Sequence, residues 1–222
     1  MNCDRIARLY RWLEYAAFGK ALERRRLAFL PMLQDARRVL VLGDGDGRAL
    51  EALLKSAPQA TIDAVDSSAK MLALAKSRSG EGRVQYHHGD ARTLAFPPSE
   101  YDAIVTHFFL DCLTATETSC LIRRVRVAAK PGALWVISEF RQDSRWTHAF
   151  VRGLYFFFAV TTGLQVRRIA DYRNALGQCG FVSKSTQTTW GGLLVSELWR
   201  EGTANAGAPI HIHEERAVPG AR

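Results

Sequence analysis

Long apolar runs are missing from this chain of 222 residues: no stretch approaches the roughly 20 consecutive apolar residues that span a bilayer, and the charged amino terminus has no signal-peptide core. An integral membrane protein is not expected. Cysteine is scarce as well, and Cys3, Cys112, Cys120 and Cys179 are scattered without C-x-x-C spacing. Neither a disulfide framework nor a metal site is indicated, and a reducing cytoplasm is the expected home. Acids are in the minority, 22 against 30 Lys and Arg, and the basic surplus is concentrated, with residues 1 to 38 holding nine Lys or Arg against four acids. Arg24-Arg25-Arg26 is its densest point. Such a face suits an anionic membrane, a nucleic acid or plain solvent, and charge alone does not choose among them.

Glycine is clustered where the chain is most informative. In RVLVLGDGDGRALEALLKSAPQATIDAVD, residues 38 to 66, Val39 to Leu42 suits a buried strand, and Gly43-Asp44-Gly45-Asp46-Gly47 breaks it with residues that tolerate tight turns and close backbone approach. Ala49, Leu50, Leu53 and Leu54 recur at helical spacing, and Thr61 to Val65 forms a second apolar strand closed by Asp66. In such a unit small residues admit a ligand to the first strand's carboxyl end, and an acid about 20 residues on accepts hydrogen bonds from ribose hydroxyls. Asp66 stands where that acid belongs. A dinucleotide loop meets a pyrophosphate with helix N–H groups, whereas two aspartates in the loop repel phosphate. A ligand with a cationic centre fits better, which favours S-adenosylmethionine over NAD.

Upstream, Ile6, Leu9, Tyr10, Leu13, Ala17 and Leu22 recur every three or four residues, predicting one or two amphipathic helices over residues 3 to 34. Tyr10, Trp12, Tyr15 and Phe18 load this segment with aromatics, so it is read as a lid. Downstream, Ser67 or Ser68 caps a helix bearing Met71, Leu72 and Ala75, with Met71 beside an adenine. A third strand over 83 to 87 runs into Gly89-Asp90-Ala91, where the acid can accept from the adenine amine. A fourth strand over 101 to 106 ends in His107-Phe108-Phe109-Leu110-Asp111-Cys112, at the strand edge where open parallel sheets bind ligands. A helix over 116 to 129, a turn at Lys130-Pro131-Gly132 and a fifth strand over 133 to 140 follow. A helix over 167 to 179 precedes strands over 181 to 188 and 193 to 200, joined at Gly191-Gly192, so the sheet ends antiparallel.

VLVLGDGDGR, IDAVDSSAKML, GDARTL, YDAIVTHFFLD and KPGALWVISEF, at these spacings, resemble the successive motifs of class I S-adenosylmethionine-dependent methyltransferases over residues 36 to 200. The resemblance implies an α/β fold, a Rossmann-like doubly wound seven-stranded sheet, mostly parallel with an antiparallel last strand, plus N-terminal helices. It implies that Gly43, Gly45 and Gly47 approach the methionine portion, that Asp66 holds the ribose, and that Asp90 and Ala91 hold the adenine; Ser67 is also expected among the cofactor-binding residues. Many members have an acid two residues before the first glycine, where this chain has Val41, so the methionine amino group falls to Asp44 or Asp46. The nearer similarity is to the menaquinone and ubiquinone C-methyltransferases, through Glu139-Phe140, Phe108 and the Leu154-Tyr155-Phe156-Phe157 segment. Where those enzymes carry a Gly-x-Arg-Asn run, this chain reads Phe109-Leu110-Asp111-Cys112.

The expected domains are a helical lid over 1–36, a methyltransferase domain over 37–200 with an aromatic insertion over 141–164, and a mobile tail over 201–222. Methyl transfer needs alignment and, for some acceptors, removal of a proton. His107 and Asp111 are the catalytic candidates, with Glu139 and His148 in reserve, and His107 also lies beside the cofactor. Tyr10, Tyr15, Phe108, Phe109, Glu139, Trp146 and Tyr155 are assigned to the substrate pocket. The expected acceptor is a small lipophilic, ring-bearing molecule methylated at carbon or oxygen. Residues 150 to 160, FVRGLYFFFAV, are apolar nearly all round as a helix, and suit either a buried contact, homodimerisation included, or peripheral contact with an anionic membrane. His211-Ile212-His213 is read as incidental, not as a metal site. Two other readings stand beside this one: an S-adenosylmethionine-binding protein that transfers no methyl group, and a nucleic-acid methyltransferase. The last is disfavoured because the fourth strand does not end in the Pro-Pro run that stacks a flipped base.

Overall fold

The computed structural model describes residues 18–142, 147–148 and 170–202. Strand β1 (Arg38–Leu42) lies at the centre of a sheet whose order is β3-β2-β1-β4-β5-β7-β6, with β2 at Thr61–Asp66, β3 at Val84–His88, β4 at Tyr101–His107, β5 at Ala129–Phe140, β6 at Phe181–Thr189 and β7 at Leu194–Glu201. β1 pairs in parallel with both β2 and β4, and β7 pairs antiparallel with both β5 and β6. The antiparallel strand is thus inserted ahead of the edge, as the motif pattern implies.

Side chains alternate across a strand, and β1 shows why it must be apolar throughout. Leu40 and Leu42 join Ile104, Trp135 and Ile137 under helices α4 (Ala115–Ala128) and α5 (Tyr172–Gln178), through Leu121, Ile122, Val125 and Leu176. Val39 and Val41 join Ala103, Val105 and Val136 on the opposite face, under α2 (Arg48–Ser56), α3 (Ala69–Ser79) and a 3-10 turn at Leu30–Leu33. Both faces are covered, as a parallel sheet requires. Trp135 is fully buried, and its Nε1 donates to Thr106 Oγ1 at 3.1 Å, which satisfies the one polar atom of the ring.

Two expectations shift at their boundaries, and a third is described only in part. Of the helices expected over residues 3 to 34, the described part is α1 (Ala21–Leu27) and the 3-10 turn. The Lys130-Pro131-Gly132 turn lies inside β5: Tyr101 pairs with Ala129 and Ala103 with Leu134, so the extra residues bulge out of register. Gly132 takes φ +78° there and its N–H donates to Glu201 Oε2 at 2.6 Å, a contact from the far strand that no local signal announces. The last helix begins at Tyr172 because Asp171 caps it, accepting the Asn174 N–H at 3.1 Å. Among the described residues no helix is long and apolar enough to cross a membrane.

Candidate active site

The winding direction reverses between β1 and β4, and ligands of open α/β sheets bind at such a point beyond the strands' carboxyl ends. A cleft of about 370 Å³ opens there. Its floor is Gly43, Asp44 and Gly45. Asp66, Ser67, Ser68 and Met71 line one side, Gly89, Asp90, Ala91 and Arg92 one end, and Arg26, His107, Phe108, Phe109, Cys112 and Leu113 the other. Strand pairing runs on into these loops: Gly43 N–H donates to Val65 O at 2.9 Å, Gly89 N–H to Asp66 O at 3.1 Å and Phe108 N–H to Ser138 O at 2.7 Å. The cleft rim is therefore as fixed as the sheet.

At the first end the acids are already satisfied. Asp66 Oδ1 accepts the Ser68 N–H at 2.8 Å, and Ser68 Oγ in turn caps α3 by accepting the Met71 N–H at 3.2 Å. Asp90 is clasped by Arg92, whose Nη2 lies 2.6 Å from Oδ2 and whose Nη1 reaches Glu117 Oε1 at 2.6 Å. Those hydrogen bonds hold the Asp90 carboxyl below the usual carboxylate range.

The second end is drier. Asp44 Oδ2 accepts the Leu50 N–H at 2.9 Å at the start of α2, while Oδ1 is sealed from water with no hydrogen-bond partner among the described residues. Burial pushes this carboxyl up to about 7, against the pull of the Leu50 amide and of Arg26. His107 is 4 % exposed, neither ring nitrogen has a partner among the described residues, and burial followed by the Arg26 charge drives it down to about 3. The imidazole is neutral at physiological pH. Arg26 projects from α1 at 7 % exposure, with its guanidinium 5.2 Å from the Phe108 ring centre. Phe108 holds φ +52°, a left-handed conformation unusual for a bulky residue. Phe109 closes on the glycine loop so tightly that a Cβ on Gly43 would lie 2.4 Å from its Cδ2.

Asp111 and Glu139 stand behind this wall and do not line the cleft. Glu139 is fully buried, and its Oε1 accepts the N–H groups of Phe109 at 3.0 Å and Leu110 at 2.7 Å. It braces the loop that presents Phe108, a role that places it outside the pocket expected from the sequence. Burial raises Asp111 to about 6, and burial together with the Asp111 charge raises Glu139 well above its ordinary value. Gly47 likewise lies off the cleft: it caps α2 at φ +82°, and a Cβ there would meet Ala75 Cα at 2.6 Å, so it is required for helix packing. Asp46 is committed to Arg48 Nε at 2.9 Å and to Arg78. Tyr10, Tyr15, Trp146 and Tyr155, with the segment from 150 to 160 and the tail from 203, lie outside the described residues.

Arg26, like Arg92 and Leu113, is a lining residue that the sequence reading did not assign to the cleft. Its signal was present: Leu22, Arg26, Phe29 or Leu30 and Leu33 recur at three- and four-residue steps along one buried stripe. An arginine in phase with a buried stripe is not a surface charge. The helix end carrying it is held by β5 and β7, whose paired Ser138 and Ser196 hydroxyls donate to the Arg25 carbonyl at 2.9 and 2.7 Å.

Residues 39–132 match a family model described as a methyltransferase domain. The chain is 31% identical to a demethylmenaquinone methyltransferase of Thermotoga maritima, over 71% of this chain and 67% of the relative. It is 30% identical to a malonyl-[acyl-carrier protein] O-methyltransferase of Halalkalibacterium halodurans, over 83% of this chain, a match that spans 60% of that relative's length. The fold superposes on Burkholderia thailandensis 1,6-didemethyltoxoflavin-N1-methyltransferase, with bound S-adenosylhomocysteine, at a TM-score of 0.64 and 18% identity, covering 87% of this chain and 84% of that one. With a glycine loop between β1 and α2, an acid closing β2 and a cleft at the point where the sheet changes direction, the chain belongs to the class I S-adenosylmethionine-dependent methyltransferases.

Proposed function

We propose that the chain moves a methyl group from S-adenosylmethionine to a small lipophilic, ring-bearing acceptor, at carbon or oxygen. The observation that carries the cofactor in this reading is Asp44: a carboxyl lining the cleft, with Oδ2 on the Leu50 N–H and Oδ1 without a hydrogen-bond partner among the described residues, suits a neighbouring cation and is a poor neighbour for a phosphate. The residues present fit the cofactor. Asp66 and Ser67 meet the ribose, and Met71, Asp90 and Ala91 surround the adenine. Of the two loop acids, Asp46 is already paired with arginines, so Asp44 takes the methionine ammonium. A volume of about 370 Å³ falls within the range of about 300 to 1,000 Å³ seen for small-molecule sites.

Bound S-adenosylmethionine supplies an electrophilic methyl group on a sulfonium. The protein's part is alignment and exclusion of water. Phe108 and Phe109 wall the transfer end, and neutral His107 can donate one hydrogen bond and accept another to orient the acceptor. Asp111 stands behind the wall and shapes the loop. Support for a ring-bearing acceptor comes from this aromatic wall and from the similarity to a demethylmenaquinone methyltransferase. Calorimetric titration with S-adenosylmethionine, followed by a screen for S-adenosylhomocysteine release with phenols, quinols and terpenoids, tests the proposal. Binding and turnover with at least one ring-bearing acceptor are expected. No heat of binding at millimolar cofactor removes the reading, and binding without turnover across the screen favours a protein that holds the cofactor for another purpose.

A further inference from the structure

We propose that the end of the molecule at which the cleft opens docks on an anionic lipid surface, with Trp190 at the tip of the β6–β7 hairpin as the inserted anchor and the outer stripe of α1 as the electrostatic contact. The inference stands on surface residues apart from the cleft lining and goes beyond the methyl-transfer reading.

Topology brings these parts together. β7 runs antiparallel to β5 and Leu194 pairs with Phe140, so the hairpin tip stands at the carboxyl ends of the parallel strands, the end at which the cleft opens. α1 is pinned across the same end by the Ser138 and Ser196 hydroxyls on the Arg25 carbonyl. The Trp190 ring centre lies 5.5 Å from that of Phe18, three residues ahead of α1, which places the tip beside the start of the helix.

The tip is shaped to hold an aromatic ring outward. Trp190 is 42 % exposed and takes φ +57° directly before Gly191 and Gly192, a conformation that bulky residues avoid and that persists only where surrounding packing enforces it. That packing is a row of rings: Phe18 meets Phe140 at 5.4 Å, and Phe140 meets Phe108 at 5.1 Å on the cleft wall. A tryptophan backed by core and partly in water has the apolar body and polar N–H that favour a bilayer interface. On α1 and its N-cap, Lys20, Glu23, Arg24 and Leu27 recur at three- and four-residue steps and are all exposed. This outer stripe sets two cations and an apolar side chain against one acid. Anionic headgroups complement the cations, and the headgroup–acyl boundary accepts Trp190 and Leu27. A second copy of the chain would meet the stripe with cations of its own, and a nucleic acid offers the exposed leucine no partner. Docked in this way the cleft opens toward the bilayer, so an oily acceptor enters from lipid without crossing water.

Cosedimentation of the full chain with phosphatidylcholine vesicles, with and without phosphatidylserine, tests the proposal. Binding to the phosphatidylserine vesicles at low salt is expected, weaker by about tenfold or more with phosphatidylcholine alone or in about 0.5 M salt. Trp190→Ser and the double variant Lys20→Gln/Arg24→Gln should each weaken it by about fivefold or more. Trp190→Phe keeps a ring on Phe18 and should keep the binding, yet lose most of the tryptophan quenching by lipids brominated on their acyl chains. S-adenosylhomocysteine affinity should move by less than about threefold in all of them, since distant sites act independently. No sedimentation of the wild type overturns the proposal, and so does binding that none of these variants weakens, because another part of the chain would then carry it. Undiminished quenching in Trp190→Phe removes the anchor. A single-stranded oligonucleotide that displaces the protein from vesicles, and whose own binding falls in the same variants, assigns the surface to nucleic acid instead. Should Trp190→Ser fail to fold, as judged by circular dichroism, the double variant and the Trp190→Phe quenching decide. Loss of S-adenosylhomocysteine binding by the wild type with vesicle binding intact removes the methyltransferase reading and leaves this one standing.

Discussion

The two ends of the cleft obey opposite electrostatic rules. Where the adenosyl group is expected, acids are hydrogen-bonded to their neighbours, and Asp90 is held below its ordinary value by Arg92 at the edge of solvent. Where the methyl group is expected, water is excluded: Asp44 stands at about 7, Asp111 at about 6, His107 at about 3, and Glu139 is raised well above its ordinary value. Burial is the first cause of each of those four shifts. The comparison teaches that one end is built to stay charged in water, whereas the other, through burial, disfavours charge on Asp44 and His107 at its lining and on Asp111 and Glu139 behind it.

The largest effect expected from breaking this contrast lies in the dry end's brace. Glu139→Ala leaves the Phe109 and Leu110 N–H groups without their acceptor, and a buried unmet donor costs about 1 to 3 kcal/mol. Urea denaturation should show a loss of roughly 2 to 4 kcal/mol. Glu139→Gln keeps an oxygen for both amides and removes the repulsion from Asp111, so it should stay within about 1 kcal/mol of wild type. An alanine variant as stable as the parent would show that the loop is held by something else.

Proton linkage sharpens the comparison next. On the proposed assignment of the ligand's ammonium to the carboxylate form of Asp44, a ligand-free value of about 7 means that S-adenosylhomocysteine affinity should climb from pH 6 to pH 8 and level off above. The slope approaches tenfold per pH unit below that value. Asp44→Asn should flatten the profile and lie below wild type at pH 8. Stability without ligand carries the opposite sign. Asp44 and Asp111 have folded values above their ordinary 3.8, so the folded state binds the extra protons and stability falls as pH rises from there to about 7 and 6. His107, depressed from 6.5 to about 3, acts the other way across that interval, and stability from it is lost as pH falls. Chemical denaturation of wild type, Asp44→Asn and His107→Gln across pH 4 to 8 separates the contributions.

The smallest effect belongs to the wet end. Arg92 is partly exposed, and solvent-exposed ion pairs contribute about 0 to 1 kcal/mol. Arg92→Ala should therefore cost under about 1 kcal/mol and move S-adenosylhomocysteine affinity less than threefold. A tenfold loss would mean that Arg92 touches the adenine directly.

What the sequence disclosed follows from how local each signal is. The glycine loop, Asp66, the seven strands and the inserted antiparallel β7 were all readable, because short continuous apolar runs and turn residues are written in neighbouring positions. The β5 bulge was not, since it depends on Glu201 reaching Gly132 from 69 positions away. Placement of Glu139 in the pocket failed for the same reason: a residue at a strand end can face the ligand or turn under the loop, and only the position of the Phe109 and Leu110 amides decides. Asp44 and Asp46 were indistinguishable by type, and Arg78, from a different helix, separates them. Arg26 could have been found by helical phase had its two neighbours not drawn attention to total charge.

The serine pair that grips the Arg25 carbonyl joins residue 25 to residues 138 and 196. A nascent chain that has emerged only as far as β5 already possesses the glycine turn, Asp66 and Asp90, yet it lacks half of the latch that seats Arg26. The chamber expected to hold the reactive methyl group therefore needs β7 for its latch, and a product truncated before that strand can own every cofactor motif and still be unfinished at that end.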